Sequence, residues 1–464
     1  MNGTINGQLG FWMSNLSESS RQTISQSLPS TTDLAIVGGG YTGLWAAYFY
    51  KTLNPDHEVT IFEAEQIGYG ASGRNGGWVS SLVPGNRSRF AANSPQGRGA
   101  AIAMQREFIR SVSEIMETLD RLGIEADQSF DGMLSAAHTV AGLSRLQSKR
   151  KGDLDFGYNP DEVIELTSDE FRDRINIEGV HGGLYYPDVA CVDPAKLVRG
   201  LAKVVEGLGV RIVEQARVTQ VRRQCISVDS TQILAKRVFV CTEAYSGPLV
   251  GNRRLTPINS SAIATQPLPA EAWDNIGWKK RFCLNDSAHT FIYAQRTADD
   301  RIVIGGRGSP YRFASGTGGR GETAQTTVDQ LLGKLRNFFP SVEFRADYAW
   351  SGVLGVTRDW NGSVSFDPST GVGHSFGYAG HGVTSAFVGG RTLAELASGV
   401  ESERTELAWV DYSSRNWEPE PIRWAGIHSM YSLFGIADRW EERRDSTKTS
   451  LLASFGSRLA GLHE

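Results

Sequence analysis

Close cysteine pairs are missing from this sequence. Its 464 residues hold four cysteines, Cys191, Cys225, Cys241 and Cys283, spread with no two near each other. That spacing excludes a disulfide framework and a Cys-based zinc site, and it predicts a reducing, cytoplasmic setting. A charge excess is missing too. With 47 basic against 51 acidic residues the net charge is −4, which gives no global field for nucleic acid or an anionic membrane. Long apolar runs are absent. The longest, residues 34–50, is broken by Gly38, Gly39, Gly40, Thr42 and Gly43, so no membrane span is expected. The first residues lack a basic stretch followed by an apolar one, so no signal peptide is expected. No internal repeat or low-complexity tract occurs. Glycine, by contrast, is plentiful, at 52 residues.

The glycines are placed where chemistry needs them. Asp33-Leu34-Ala35-Ile36-Val37 is a short apolar run that ends in Gly38-Gly39-Gly40-Tyr41-Thr42-Gly43. Helical patterning then runs from Thr42 to Leu53, and a second strand-like run, 58–62, ends at Glu63. Strand, glycine turn, helix, strand and terminal acid together form a βαβ dinucleotide fingerprint. Gly38 makes the turn, Gly40 admits a pyrophosphate and Gly43 lets helix and strand approach. The helix N-terminus faces the phosphates, and Glu63 is placed for ribose hydroxyls. The acid disfavours a 2′-phosphate, leaving FAD and NAD. A second glycine cluster follows, Gly68-Tyr69-Gly70-Ala71-Ser72-Gly73-Arg74-Asn75-Gly76-Gly77-Trp78. It is too glycine-rich for a regular element and too apolar at its end for a linker, which suits a loop pressed on a flat ligand.

These motifs resemble the D-amino-acid oxidase superfamily of flavoproteins, which includes glycine oxidase and sarcosine oxidase. The chain is most similar to its γ-glutamylputrescine-oxidase-like branch. Three further stretches carry the resemblance: Val192-Asp193-Pro194-Ala195-Lys196-Leu197, then 238–245 around Thr242, and Gly377-Tyr378-Ala379-Gly380-His381-Gly382-Val383-Thr384. The resemblance implies FAD rather than NAD. It also implies an α/β fold: a Rossmann-like FAD-binding domain assembled from discontinuous segments (32–90, 190–260, 345–400), and a substrate domain (91–189, 261–344) with a mainly antiparallel sheet and flanking helices. Residues 1–31 read as a surface arm anchored by Phe11 and Trp12, and 401–464 as a helical segment with a tail.

The resemblance further implies that Gly38, Gly40, Tyr41, Thr42, Gly43, Glu63 and Ala64 bind the cofactor. The same role is implied for Gly70, Ala71, Ser72, Arg74, Asn75, Gly76 and Gly77 in the loop. Val218, Thr242, Gly352, Gly380, Gly382, Val383 and Thr384 complete that set. The C-terminal glycines precede a helix expected over 385–397, whose N-terminus would stabilise negative charge on a reduced flavin. His381 and Trp78 are the candidate catalytic side chains, although His381 also suits a structural loop bond. Attachment residues for a covalent flavin are absent: no Cys lies near Leu354, and Arg74 and Asn75 stand where a His would be needed. Relatives hold a substrate carboxylate with two arginines, and those positions align with Leu354 and Gly380. The implied reaction is therefore oxidation of a C–N bond of an amine without such a carboxylate, a mono- or polyamine, a γ-glutamyl amine or an N-substituted amine. Hydride would pass to flavin N5 and the imine would hydrolyse, with oxygen or another carrier as electron acceptor. Tyr293, Arg307 and Leu354 are the candidate substrate contacts, and each also fits ordinary sheet packing or loop structure. Two alternatives remain at this point. A flavin monooxygenase would carry a later Gly-Asp motif near the ribityl chain; no Gly-Asp-Ala text occurs here, and Gly152-Asp153 sits in the wrong context. An assembly protein with a structural flavin is not distinguished by sequence.

Overall fold

The computed structural model describes residues 3–17, 26–251, 253–306, 311–317 and 319–444. Two sheets organise them. The first, of eight strands, has a parallel centre: Thr31–Val37 lies between Val59–Phe62 and Thr231–Val240, with Arg211–Val213 outside Val59–Phe62. Leu34, Ala35, Ile36 and Val37 are all buried. A parallel strand covered on both faces reads as an unbroken apolar run, which is why 33–37 shows no alternation. The helix Tyr41–Leu53 crosses one face against Gly382–Ser398. A Cβ on Gly390 would lie 2.8 Å from the backbone N of Ala46, so glycine sets how near the two helices come.

The second sheet has nine strands and is mainly antiparallel, as expected. At its centre Ala346–Val356, Thr256–Thr265, Ile302–Gly305 and Tyr293–Arg296 pair in turn. Tyr293–Arg296 and Ile302–Gly305 form an antiparallel hairpin. A two-strand ribbon, Trp78–Ser80 with Val189–Cys191, lies between the sheets in sequence. Asp193 caps the helix Pro194–Gly207: its Oδ1 accepts from the N–H groups of Ala195 (2.8 Å) and Lys196 (3.0 Å), with Pro194 at the first helical position. The long helix Arg98–Leu122 stops at Gly123, at φ 64°.

Two expected boundaries shift. Segment 345–400 is split, since Ala346–Val356 belongs to the nine-stranded sheet while Val372–Phe376 joins the other. The residues before 31 are not a surface arm throughout. Ile5–Asn6 pairs with Ala346–Val356, and Phe11, Trp12, Met13 and Leu16 are buried. Four large apolar side chains within six positions cover too much area to remain in water. Among the described residues no helix is long and apolar enough to cross a membrane.

Candidate active site

One cavity of about 2160 Å³ lies between the C-terminal ends of the parallel strands and the nine-stranded sheet. Ligand pockets usually measure ~300–1,000 Å³, so this one has room for a dinucleotide and a second molecule. One end of it is the first glycine turn. Gly38 sits at φ 108°, a conformation that strains any side chain, and a Cβ on Gly43 would lie 2.0 Å from the Gly38 carbonyl oxygen. Gly40, Tyr41 and Thr42 line the cavity at the start of the helix. Ser72 of the second glycine cluster reaches them, its Oγ accepting from Tyr41 N at 2.9 Å. The two motifs thus meet.

Glu63 lies where the second strand ends. Its Oε2 accepts from Gly39 N at 2.7 Å and its Oε1 from Glu65 N at 2.9 Å. Burial pushes this carboxyl up, while the two N–H donors pull it down. Each oxygen keeps a lone pair, and the group faces the cavity beside Ala64. Val218 and Thr242 line the same end, and Thr242 Oγ1 pairs with Ser246 Oγ at 2.9 Å.

The glycine-rich loop crosses the cavity. Gly70, Ala71, Arg74, Asn75 and Gly76 line it, as does Trp78. Asn75 Nδ2 donates to the Ala71 and Ser72 carbonyls and its Oδ1 accepts from Gly77 N (2.7 Å), so the loop is tied to itself. Tyr293 stands against Gly76, where a Cβ would lie 2.7 Å from its ring, and it meets Trp78 edge-on at 6.2 Å. Gly352 lies across from Arg74.

The far wall is the C-terminal motif. Gly380, His381, Gly382 and Val383 line the cavity at the N-terminus of Gly382–Ser398, where free N–H groups gather. Burial brings the His381 imidazole down to about 4, helped by the Lys149 ammonium, so the ring is uncharged at neutral pH. Its exposed part faces the cavity. Leu354 and Gly380 are neighbours: a Cβ on Gly380 would lie 3.8 Å from Leu354 Cδ1. Gly380 also sits at φ 103°, which a side chain tolerates poorly.

Not every expected residue is on the cavity. Gly43 and Gly77 act behind it as points of close approach, Gly77 against the Val192 carbonyl at 2.2 Å from a built Cβ. Thr384 is buried behind the wall. Arg307 lies outside the described residues. Tyr311 is buried, with its hydroxyl donating to Glu420 at 2.5 Å.

Sequence reasoning missed Glu243. It follows the strand Thr231–Val240 at φ 44°, and its carboxylate accepts from Gly355 N (2.6 Å), Gly377 N (3.0 Å) and Tyr378 N (2.9 Å). It therefore braces three chain segments around the cavity. Burial raises its carboxyl to about 7, opposed by those three donors. An acid whose folded pKa lies above its ordinary 4.5 binds its proton more tightly when folded. Its contribution to stability is full below about pH 4.5 and is lost as pH rises through about 7, by roughly 3 kcal/mol. Thermal melts of the wild type and Glu243→Gln between pH 4 and 8 are expected to differ in slope. Parallel curves would show that Glu243 does not titrate there.

Several polar atoms on this cavity have no partner among the described residues: Arg74 Nε and Nη2, Trp78 Nε1, Asn259 Nδ2 and Asn285 Oδ1. Buried polar groups are nearly always paired, so these await a ligand rich in phosphate, hydroxyl and ring heteroatoms. FAD meets that description, and the glycine turn and Glu63 fit its nucleotide half.

Comparisons with known proteins agree. The chain is 28% identical to gamma-glutamylputrescine oxidoreductase of Escherichia coli (strain K12) over 395 residues, covering 82% of this chain and 86% of the relative. It is 27% identical to the probable oxidoreductase OrdL of Rhizobium meliloti over 388 residues, covering 80% and 84%. The fold is shared with glycine oxidase from Geobacillus kaustophilus, with TM-score 0.67, 20% identity and coverage of 81% and 96%. L-proline dehydrogenase from P. horikoshii shares it too, with TM-score 0.64, 19% identity and coverage of 80% and 94%. The model of the DAO family, FAD dependent oxidoreductase, matches residues 33–396, and the chain belongs to that family, with FAD as its cofactor.

Proposed function

We propose that this flavoprotein oxidises a C–N bond of an amine that carries no carboxylate on the reacting carbon: a mono- or polyamine, a γ-glutamyl amine or an N-substituted amine. One observation carries the reading. At the reaction end, where an α-carboxylate would need a cation, Leu354 lies beside Gly380. The name of the Escherichia coli relative, gamma-glutamylputrescine oxidoreductase, supports it.

Bound FAD supplies the two-electron acceptor. The chain's own residues do the rest. Glu63, Ser72, Arg74 and the first glycine turn hold the nucleotide, and the loop 70–78 with Tyr293 shapes the face on which the amine lies. An amine must be neutral to give up hydride. The apolar wall around Leu354 disfavours the ammonium form, since desolvation lowers an ammonium pKa. His381, lowered to about 4, is a poor base at neutral pH and serves as an uncharged hydrogen-bonding group. Negative charge on bound FAD would be stabilised by the N–H groups at the start of the helix Gly382–Ser398.

The flavin is held without a covalent bond in this reading. Cys241 is the one cysteine among the described residues on the cavity, and burial raises its thiol far from the reactive thiolate. Acid precipitation is expected to leave intact FAD in the supernatant, and flavin fluorescence in the pellet would refute this. The reaction is tested by adding candidate amines to the holoenzyme without oxygen. Bleaching of the flavin absorbance is expected. A flavin that photoreduces but stays oxidised with every amine would remove the proposal.

A further inference from the structure

The helix Ile422–Arg444 lies beyond residues 33–396, the part matched by the family. It nevertheless forms a wall of the cavity. Asp438 fixes it, accepting from His289 N (2.8 Å), Thr290 N (3.0 Å) and Thr290 Oγ1 (2.6 Å). Glu441 adds bonds to His289 Nε2 (3.1 Å) and Arg145 Nη1 (2.6 Å). Ile427, Tyr431 and Phe434 follow at helical spacing, and all three line the cavity.

Their position relative to the reaction end follows from packing and register. Ile427 joins a buried cluster with Ile258, Val356 and Trp417, against which Tyr431 and Ala379 pack. Ile258 is the register partner of Leu354, and Ala379 precedes Gly380. The helix therefore packs beside Leu354 and Gly380, the positions where the resemblance implies arginines in relatives. Tyr431 lines the cavity, and burial raises the pKa of its hydroxyl, which is a neutral phenol.

We propose that this helix is the substrate-selecting wall: the Tyr431 hydroxyl bonds the nitrogen-bearing substrate, and Ile427 and Phe434 bound the length of an unbranched aliphatic amine chain. The inference rests on the amine reading above and names residues for it. A neutral phenol donates to or accepts from an uncharged amine without adding charge to the pocket. Two apolar side chains, one branched and one aromatic, each about one turn from Tyr431 on either side, set a limit that a longer chain meets.

The test uses the holoenzyme with a series of unbranched primary amines differing by single methylenes. Wild type, Tyr431→Phe, Ile427→Ala and Phe434→Leu are compared by flavin reduction without oxygen, and by flavin difference spectra for binding. Tyr431→Phe is expected to raise the dissociation constant about fivefold for all members while FAD content and melting temperature stay unchanged. Ile427→Ala is expected to move the preferred length upward, changing the ratio of kcat/KM between neighbours about tenfold. Phe434→Leu should do the same if Ile427→Ala does not fold. Amine oxidation with the same length preference and affinity in every variant would overturn the inference and leave the amine reading intact. A wild type that oxidises no amine would overturn the amine reading. In that event the difference spectra decide the inference: weaker amine binding in Tyr431→Phe supports it and unchanged binding overturns it.

Discussion

Glu63→Ala is expected to weaken FAD binding at least tenfold while the spectrum of whatever flavin remains bound changes little. The carboxylate faces the cavity at the end of the second strand, with one lone pair of each oxygen already engaged by Gly39 and Glu65. Two ribose hydroxyls on the remaining lone pairs would be charge-assisted bonds, worth about 1.5–3 kcal/mol each. Truncation also orphans the Gly39 and Glu65 donors, so the apoprotein loses stability too. The two effects separate cleanly. Apoprotein melts report the backbone loss, and the rise in melting temperature on adding FAD reports the ribose contacts. Glu63→Gln, which keeps one acceptor oxygen, should fall between. The isoalloxazine ring lies at the other end of the dinucleotide from the ribose that Glu63 would hold, so its absorption should not shift. FAD affinity equal to wild type would remove Glu63 from the site.

The nucleotide half was legible because its constraints are local. A turn at φ 108° at Gly38, a helix starting within three residues and a strand ending in an acid all lie between 33 and 63, and each needs a particular residue type there. The second glycine cluster was legible for the same reason. Glu243 was not. Its role depends on three N–H groups that come from residues more than a hundred positions away, at Gly355, Gly377 and Tyr378. The cavity wall at Ile427 and Tyr431 was hidden in another way. The final helix is apolar on more than one side, with Ile422, Trp424, Ile436 and Trp440 exposed, so periodicity does not say which side meets the cavity. The burial of Phe11 and Trp12 was readable in kind. Its partner, Trp350 on the strand Ala346–Val356, was not.

An amine should exceed its α-carboxylated analogue by about a hundredfold or more in kcat/KM. A carboxylate on the reacting carbon would sit against Leu354 and Gly380, neither of which offers the cation that would offset its desolvation. Even about 3 kcal/mol of uncompensated cost gives that ratio. The two positions are not equally open to repair. Gly380, at φ 103°, resists any side chain in its present conformation, whereas Leu354 stands in a regular strand paired to Ile258. Leu354→Arg is thus the informative variant. It should raise kcat/KM for the carboxylated member and lower it for the plain amine, because a cation at that wall restores the missing partner and repels any residual ammonium. Gly380→Arg should instead lower both and reduce bound FAD, since the strained turn precedes the helix proposed to face the flavin. Matched pairs run through all three proteins give the answer. If wild type already prefers glycine, sarcosine or a D-amino acid, a carboxylate clamp exists elsewhere in the cavity, and the reading of Leu354 as its absence is wrong.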